Sequence, residues 1–378
     1  MTRPGPRPRV RAREFGLPLR GTPGPSNAIT DVPGVEVGYT TLISGDGPLR
    51  VGEGPVRTGV TALLPRGRAG YGDPCAAGIY SLNGNGEMTG AHWIAESGTL
   101  GLPVLITNTH AVGPCHRGVI DWAVRERGGR SAEWMLPVVA ETWDGYLNDI
   151  DGPHVTPGHA VAAIDAARGG PVAEGSVGGG TGMNCYGFKG GSGTSSRTVE
   201  YGPDTYTVGV FVQANFGARR ELTVCGVHVG DDLADDDPMG DTDWLGLPGA
   251  GSVIVVVGTD APLLPGQCTA LARRVPLGLA RTGTVGHHSS GDVFLAFSTG
   301  NRGRMTDGFP TGTPGYDTLR HVQRNRIDPF YEAVVQGVEE AVLNALFAAE
   351  TMIGRDGHRS PALPQDRLRE LLDARLVR

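Results

Sequence analysis

The sequence predicts an α/β fold in which β-sheets are stacked and covered by helices. Strand-like and helix-like segments follow one another without the strict strand-helix-strand order of a doubly wound sheet. Several strand-like segments are apolar at consecutive positions, as in residues 253–257, which indicates strands buried on both faces. Residues 329–353 form the clearest amphipathic helix of the chain. A sandwich of sheets covered by helices fits these three observations best.

The first half of the chain begins with a segment that we expect to be disordered, residues 1–26. Its first twenty residues contain six arginines and several prolines but no apolar segment typical of a secretory signal. Ordered structure is expected from Asn27 onward. The predicted elements are strands at 60–65, 104–109 and 135–139, a turn at 83–87, helices at 118–127 and 159–168, and a long glycine-rich loop at 176–197.

In the second half of the chain, predicted strands and helices also follow one another. Residues 205–214 alternate like a strand, and residues 222–228 are predicted to pair with it as a hairpin. The acidic segment 231–243 is predicted to be a solvated loop. Further on come strands at 253–257 and 294–298, a short helix at 269–275 that ends before Pro276, and the helix at 329–353, with Asp328 as its N-cap and Pro329 at its first position.

Composition excludes several classes of function. The net charge of -7 argues against nucleic-acid binding, and no apolar run reaches the roughly 18 residues needed to span a membrane. The five cysteines are odd in number and show no CxxC spacing, so we expect reduced thiols and no metal site. No metal or organic cofactor is expected, and the expected location is the cytoplasm.

Ser252 is the strongest candidate for a catalytic residue. It follows Gly249, Ala250 and Gly251, a segment with almost no side chains, and it opens the apolar strand at 253–257. An unhindered glycine carbonyl followed by a serine hydroxyl is the arrangement that self-cleaving hydrolases use. The alternative is that Ser252 only starts a core strand after a loop.

Cleavage before Ser252 supplies the serine with its own base. The pKa of an α-amine is ordinarily roughly 7.7 to 8.0, so a useful fraction of the freed amine is unprotonated at neutral pH and can accept the hydroxyl proton. Lys189 is a second candidate, because it is the only lysine in a chain with 33 basic residues. It can place a point charge near a substrate carboxylate, or it can be a surface loop lysine.

The chain also resembles a known family, the DmpA-like aminopeptidases, which include L-aminopeptidase/D-esterases and β-peptidyl aminopeptidases. The resemblance extends from Asn27 to Ile353 and is carried, in order, by NAITDVPGVEVGYTT, NGNGEMTG, ETWDGYLNDI, GGGTGMNCYGFKGGSGTSSR, VQANFG, LPGAGSVIVVVGTDAPLLPGQ and SSGDVFLAFSTGN. It implies an αββα sandwich, the fold shared with ornithine acetyltransferases, as a single catalytic domain over 27–378. It also implies self-cleavage into subunits 1–251 and 252–378, a homotetramer of cleaved pairs, and removal of N-terminal residues from short peptides, amides or esters.

The resemblance also implies roles for individual residues. Gly251-Ser252 resembles the self-cleavage bond, with Ser252 as the nucleophile. Asn215, in VQANFG, resembles a side-chain oxyanion donor, although a turn asparagine is the alternative. Ser290 and Asp292, in SSGD, resemble the serine and acid that orient the new amine, with a simple turn as the alternative. Some members carry glutamate at the position of Asp292, so the shorter side chain raises the question of its reach.

Two aromatic residues complete the predicted site. Tyr146, in DGYLND, resembles a tyrosine that lines the site and hydrogen-bonds the intermediate, with a half-buried core tyrosine as the alternative. Trp143 is expected to form part of the wall. Asp149 or Asp151 is the candidate partner for a substrate ammonium.

Two other functions remain open at this point. An ornithine acetyltransferase-like enzyme passes the acyl group to an amine instead of to water, but its nucleophile is a threonine, so Ser252 favours a hydrolase. A non-catalytic protein with the same fold is the other alternative. This alternative predicts an uncleaved chain and no turnover of substrate. The presence of Ser252, Asn215 and Ser290 argues against a non-catalytic protein.

Overall fold

Two stacked β-sheets form the centre of the protein. The structure, a computed structural model, describes residues 10–129, 134–240, 251–307 and 312–375. Within these ranges the strands, numbered in chain order, are β1 Glu36–Ser44, β2 Val56–Leu64, β3 Cys75–Gly84, β4 Thr99–Leu100, β5 Val104–Asn108, β6 Val138–Thr142, β7 Asn184–Cys185, β8 Phe188–Lys189, β9 Gly191–Tyr201, β10 Asp204–Asn215, β11 Thr223–Val224, β12 Val227–His228, β13 Ser252–Thr259, β14 Gly291–Ser298, β15 Met352–Ile353 and β16 Arg359–Ser360. The α-helices are α1 Ala91–Ser97, α2 Val112–Glu126, α3 Pro157–Asp165, α4 Pro265–Ala272, α5 Val275–Ala280, α6 Asp328–Ala348 and α7 Gln365–Arg375.

The two large sheets differ in size. One has the strand order β1-β2-β5-β6, and the other has the order β4-β3-β14-β13-β10-β9. Each sheet is mainly antiparallel and contains one parallel pair, β5 with β6 in the first and β13 with β14 in the second. Strand β13, which Ser252 opens, is therefore flanked by β10 on one side and by β14 on the other.

Three apolar layers hold these elements together. The layer between the sheets includes Ile106 of the smaller sheet and Phe211 and Ile254 of the larger one. Apolar residues of α4, α5, α6 and α7 cover the outer face of the larger sheet. Helices α2 and α3 cover the outer face of the smaller sheet. This order of layers is an αββα sandwich, as the resemblance implied.

Strand β13 confirms the prediction of a strand buried on both faces. Val253, Val255 and Val257 belong to the layer under the helices, whereas Ile254 and Val256 belong to the layer between the sheets. All five are completely buried. The alternation of side chains along a strand places neighbouring residues on opposite faces, so a strand in the middle of a four-layer protein must be apolar throughout.

The glycine-rich segment is not the long loop that the sequence predicts. Its second part is β9, which pairs with β10 along its length. Helix packing explains the glycine at position 193, because a Cβ on Gly193 would lie 2.0 Å from the carbonyl oxygen of Ala341 in α6. The hairpin expected between residues 205–214 and 222–228 is also wrong, because β11 and β12 pair with each other while β10 lies between β9 and β13.

The bounds of several helices also differ from the predictions. Helix α6 ends at Ala348, because Ala349 adopts an extended conformation, and its N-cap is Ile327 instead of Asp328. Pro276 does not end a helix but lies in the first turn of α5, where its missing N–H costs no hydrogen bond. Within the described ranges, no helix combines the length and apolarity needed to cross a membrane.

Residues 10–26 are ordered, contrary to the expectation of a disordered segment up to residue 26; residues 1–9 lie outside the described residues. Two of the arginines that suggested disorder form ion pairs with buried carboxylates. Arg11 pairs with Glu174 at 2.7 Å and Arg13 pairs with Glu340 at 2.9 Å. The Phe15 ring packs edge-on against Phe347, with 5.0 Å between the ring centroids. These contacts with distant segments cannot be recognised from local composition.

Candidate active site

The candidate site lies where three adjacent strands of the larger sheet meet. Ser252 is the first residue of β13 and is aligned with Asn215, the last residue of β10, and with Gly291, the first residue of β14. Ser252 is 3% exposed and Asn215 is 5% exposed. The hydrogen-bonded pairing of β13 with β10 and β14 therefore fixes the backbone of the proposed nucleophile next to the proposed oxyanion donor.

The backbone of Trp143 connects these two residues. Its N–H donates to Oγ of Ser252 at 3.3 Å, and its carbonyl accepts a hydrogen bond from Nδ2 of Asn215 at 2.9 Å. Trp143 directly follows β6 of the smaller sheet. The structure thus brings Ser252, Asn215 and Trp143 together, and the smaller sheet contributes to the site through main-chain atoms.

Gly251 lies in a position that a larger residue could not occupy. A Cβ there would be 2.1 Å from the carbonyl oxygen of Asn215. The Gly251 carbonyl, which is the expected target of self-cleavage, accepts a hydrogen bond from the N–H of Gly291 at 3.1 Å. Gly249 and Ala250, which belong to the predicted cleavage segment, lie outside the described residues.

Ser290 and Asp292 lie on either side of Gly291, the ladder partner of Ser252. The Ser290 hydroxyl donates to Oδ1 of Asp292 at 2.5 Å, so the shorter aspartate side chain does reach the serine. Asn83 donates to the other carboxylate oxygen at 3.0 Å. Burial raises the pKa of Asp292, while hydrogen bonds from Ser290, from Asn83 and from the Val253 backbone favour its charged form. The carboxylate is thereby held beside the main chain one residue beyond Ser252.

These contacts predict how the acid limb of the pH profile depends on Asn83. Asn83→Ala removes a donor that stabilises the Asp292 carboxylate, so the pKa of Asp292 rises further. If the charged form is needed, the pH at which kcat is half lost on the acid side moves upward. We expect an increase of about one pH unit, because a hydrogen bond to a charged group contributes about 1.5 kcal/mol or more. The measurement is kcat against pH for the wild type and the variant.

Asn85→Ala is the matched control for this prediction. Asn85 lies two residues after Asn83, just beyond the end of β3, and also donates to the segment before Asp292, but its acceptor is the Ser289 carbonyl. Its acid limb should coincide with that of the wild type. Equal shifts in both variants would mean that the turn as a whole, and not the carboxylate, sets the profile.

Tyr146 is anchored to the C-terminal part of the chain. Its hydroxyl donates to the carbonyl of Arg359 at 3.4 Å, and its ring stacks on His358 with 4.7 Å between centroids. The side chain is 1% exposed, so it is more buried than the half-buried core tyrosine of the alternative. Its role in lining the site stays a prediction.

Lys189 is fully buried, so the alternative of a surface loop lysine is wrong. Its ammonium donates to the carbonyls of Met183 at 2.6 Å, Gly190 at 3.0 Å and Gly180 at 3.4 Å. Burial lowers the pKa of Lys189 to about 7. All three of these acceptors belong to the protein backbone, and a direct contact with a substrate carboxylate stays a prediction.

One buried acid beside the site did not emerge from the sequence. Glu141, in β6, is 4% exposed, accepts hydrogen bonds from the Glu87 N–H at 2.9 Å and from the Thr109 hydroxyl, and has its pKa raised by burial. A Cβ on Gly86 would lie 3.4 Å from Oε1 of Glu141 and 2.9 Å from Cα of Gly291. Glu141 is therefore close to the strand that pairs with Ser252. Its presence in the motif ETWDGYLNDI was the only available signal.

The two acids that the sequence suggested for a substrate ammonium have other partners. Asp149 is paired with His154 at 2.7 Å, and Asp151 is paired with His110 at 3.0 Å and is 62% exposed. Among the residues that the structure describes, no group of three or more His, Cys, Asp or Glu side chains is arranged to hold a metal ion.

Comparison with known proteins agrees with the fold. The family model of Peptidase family S58 matches residues 27–360. Beta-peptidyl aminopeptidase BapA of Sphingosinicella microcystinivorans is 48% identical over 370 residues, covering 96% of this chain and 91% of that protein.

Solved structures are similar over almost the whole chain. A Burkholderia sp. beta-aminopeptidase has a TM-score of 0.88 at 44% identity and covers 98% of this chain and 100% of its own. The L-aminopeptidase D-Ala-esterase/amidase of Ochrobactrum anthropi, a serine aminopeptidase with a variant of the Ntn hydrolase fold, has a TM-score of 0.88 at 45% identity, with 96% and 98% covered. The chain therefore belongs to peptidase family S58 and is an aminopeptidase, a peptide-bond hydrolase with the Ntn hydrolase fold.

Proposed function

We propose that this aminopeptidase cuts its own Gly251-Ser252 bond and then uses Ser252 as its catalytic nucleophile. The observation that carries the proposal is the alignment of Ser252 with Asn215 and Gly291 at the meeting point of three strands. A buried hydroxyl, a side-chain amide and a hydrogen-bonded serine–aspartate pair thereby lie around one main-chain position. This is the combination that an N-terminal nucleophile requires.

In the first stage the hydroxyl of Ser252 attacks the carbonyl carbon of Gly251. The C–N bond breaks, the acyl group passes to Oγ, and the nitrogen leaves as the α-amine of Ser252. Water then opens the ester, which gives a carboxylate on Gly251 and a free hydroxyl. The hydrogen bond from the Gly291 N–H to the Gly251 carbonyl supports this step, because it polarises the bond under attack.

In the second stage the α-amine of Ser252 accepts the proton of its own hydroxyl while Oγ attacks the substrate carbonyl. The oxyanion is stabilised by the side-chain amide of Asn215, and the departing amine takes up the proton. The N-terminal residue of the substrate is then an ester on Ser252, and water releases it as the free amino acid. Ser290 and Asp292 orient the α-amine, since their hydrogen-bonded pair lies beside the main chain at Val253.

Glu141 is our proposed partner for the ammonium group of the substrate. Its burial beside Gly86 and Gly291 supports this role, because a buried carboxylate favours an approaching cation. An acid at this position also explains specificity for N-terminal residues, since it binds the free amine of substrates whose scissile bond lies close to that amine.

Glu141→Gln tests this assignment. The amide retains the size and one acceptor oxygen but loses the charge, so kcat/KM for an aminoacyl p-nitroanilide should fall about 10- to 100-fold, mainly through KM. For propionyl p-nitroanilide, which has no amine, the change should stay within threefold. Exposed Glu53→Gln is the control variant. Equal losses on both substrates would contradict the role of Glu141.

The proposed substrates are short peptides, amides and esters, including those with an N-terminal β-amino residue. The similarity to a β-peptidyl aminopeptidase at 48% identity supports the β-amino class, and the similarity to an L-aminopeptidase D-Ala-esterase/amidase at 45% supports α-amino substrates. The experiment compares hydrolysis of the p-nitroanilides of β-alanine, L-alanine and D-alanine, with acetyl transfer to ornithine measured beside it. No hydrolysis of any of the three would refute the proposal.

We also retain a homotetramer of cleaved pairs and a cytoplasmic location as parts of the proposal. The resemblance to the DmpA-like family supports the assembly, and five free thiols, four of them buried, are compatible with a reducing compartment. Mass photometry of the processed enzyme tests the assembly directly.

A further inference from the structure

The buried ammonium of Lys189 is connected to Asn215 through a single peptide group. Its shortest hydrogen bond, 2.6 Å, goes to the carbonyl of Met183, which also accepts from the Gly190 N–H at 2.8 Å. The N–H at the other end of the same peptide group, that of Asn184, donates to Oδ1 of Asn215 at 2.8 Å. One peptide plane thus has a cation at its carbonyl and the proposed oxyanion donor at its N–H.

This contact determines which way the Asn215 amide faces. Because Oδ1 is occupied by the Asn184 N–H, the NH₂ group points the other way, toward the Trp143 carbonyl at 2.9 Å. Trp143 is the residue whose N–H donates to Oγ of Ser252. A reversed amide would direct its NH₂ against the Asn184 N–H, so the observed orientation is the one that presents donors on the side of the nucleophile.

The charge of Lys189 also strengthens the donor. A cation at a peptide carbonyl polarises the peptide, its N–H becomes a better donor, and the amide that accepts this bond in turn becomes a better donor through its own NH₂. Such cooperative strengthening is largest away from water, and both Lys189 and Asn215 are buried.

A lysine suits this position better than an arginine. The three carbonyls of Gly180, Met183 and Gly190 surround a compact ammonium with three donors, whereas a planar guanidinium is wider and directs its donors in one plane. This agrees with the presence of a single lysine in a chain that otherwise uses arginine. The buried carboxyl of Asp144 favours the charged form of Lys189.

We propose that Lys189 is a positioning residue for catalysis, which holds and polarises Asn215 through the Met183-Asn184 peptide group. The inference rests on the proposed function, since it requires Asn215 to be the oxyanion donor. Lys189 itself contacts neither the nucleophile nor the substrate in this role.

The test is a double-mutant cycle. Lys189→Met removes the charge with little change in length, and Lys189→Gln retains a donor without the charge. Each is made in the wild type and in Asn215→Ala, and kcat and KM are measured on purified, processed enzyme with an aminoacyl p-nitroanilide. In the wild type we expect Lys189→Met to lower kcat about 10- to 100-fold with KM changed less than threefold. In the Asn215→Ala background the same change should lower kcat less than twofold.

The outcomes separate this inference from the proposed function. Equal losses of kcat in both backgrounds would mean that Lys189 only supports the fold, and would overturn the inference alone. Full activity of Asn215→Ala would refute the oxyanion role and the inference with it. An inactive wild type would refute the proposed function, and normal activity of Lys189→Met would again overturn the inference.

A second measurement applies if the Lys189 variants do not fold. Burial lowers the pKa of Lys189 to about 7, with Asp144 and Cys185 as the titratable groups that act on it in the opposite direction, and burial raises the pKa of Asp144 to about 7 as well. Raising the pH well above this range therefore removes the charge of Lys189 from the folded enzyme. The ratio of kcat for the wild type to kcat for Asn215→Ala should then fall as the pH rises. A constant ratio would contradict the inference.

Discussion

Ser252→Ala is expected to abolish both self-cleavage and hydrolysis. The variant lacks the hydroxyl that attacks Gly251 and the hydroxyl that carries the acyl group, so no step can replace either reaction. In a serine protease, loss of the nucleophile lowers kcat by about 10⁶-fold, and we expect a loss of at least 10⁴-fold, near the detection limit. Intact mass under denaturing conditions should show one full-length chain for the variant and two fragments, divided between Gly251 and Ser252, for the wild type.

Ser289→Ala is the control for this experiment. Ser289 belongs to the same SSGD motif as Ser290 but is not assigned a role, so the variant should be processed and active. Folding of Ser252→Ala is checked by a cooperative thermal unfolding transition, whose midpoint should be close to that of the wild type. Two fragments from Ser252→Ala, or one full-length chain from a folded and active wild type, would rule out the mechanism based on a free α-amine.

Asn215→Ala is expected to lower kcat about 10²- to 10³-fold, which corresponds to about 2.7–4 kcal/mol of transition-state stabilisation. The substrate carbonyl is neutral before attack and carries negative charge afterwards, so the lost donor matters mainly in the transition state, and KM should change little. The measurement is kcat and KM with β-alanyl and L-alanyl p-nitroanilides, on protein whose processing has been verified by intact mass.

Two further variants make this prediction specific. Asn215→Asp keeps the acceptor for the Asn184 N–H but replaces the donor with an oxygen, so it should be at least as inactive as the alanine variant. Asn301→Ala removes another buried asparagine, which binds the backbone of Arg320 and has no assigned role. It should keep its kcat. If both Asn215 variants retained kcat within threefold of the wild type, another group would have to stabilise the oxyanion.

Features that depend on local pattern and on long motifs could be predicted from the amino-acid sequence alone. The consecutive apolar residues 253–257 predicted β13, because a strand between two layers has no solvent face. The ordered motifs identified the family and with it the αββα sandwich. They also predicted Ser252, Asn215, Ser290, Asp292, Tyr146, Trp143 and Lys189 as candidates, since each lies in a motif or is unusual in composition.

Features that depend on contacts between distant segments became visible only in the folded chain. Residues 10–26 are held in place by ion pairs with Glu174 and Glu340. Strand β9 contains glycine at position 193 because helix α6 packs too close for a Cβ there. Local arginine content predicts disorder, and local glycine content predicts a loop. Both predictions fail because the carboxylates and the helix surface that these residues contact belong to distant parts of the chain.

The same reason applies to the site. The backbone of Trp143, more than a hundred residues from Ser252, connects Ser252 with Asn215 through two hydrogen bonds. Every residue has the same main-chain atoms, so a sequence cannot indicate such a contact. The charge of Lys189 is directed to Asn215 through a peptide group that any residue could provide. The sequence therefore named candidates for the reacting groups, whereas their orientation depends on hydrogen bonds that only the folded chain forms.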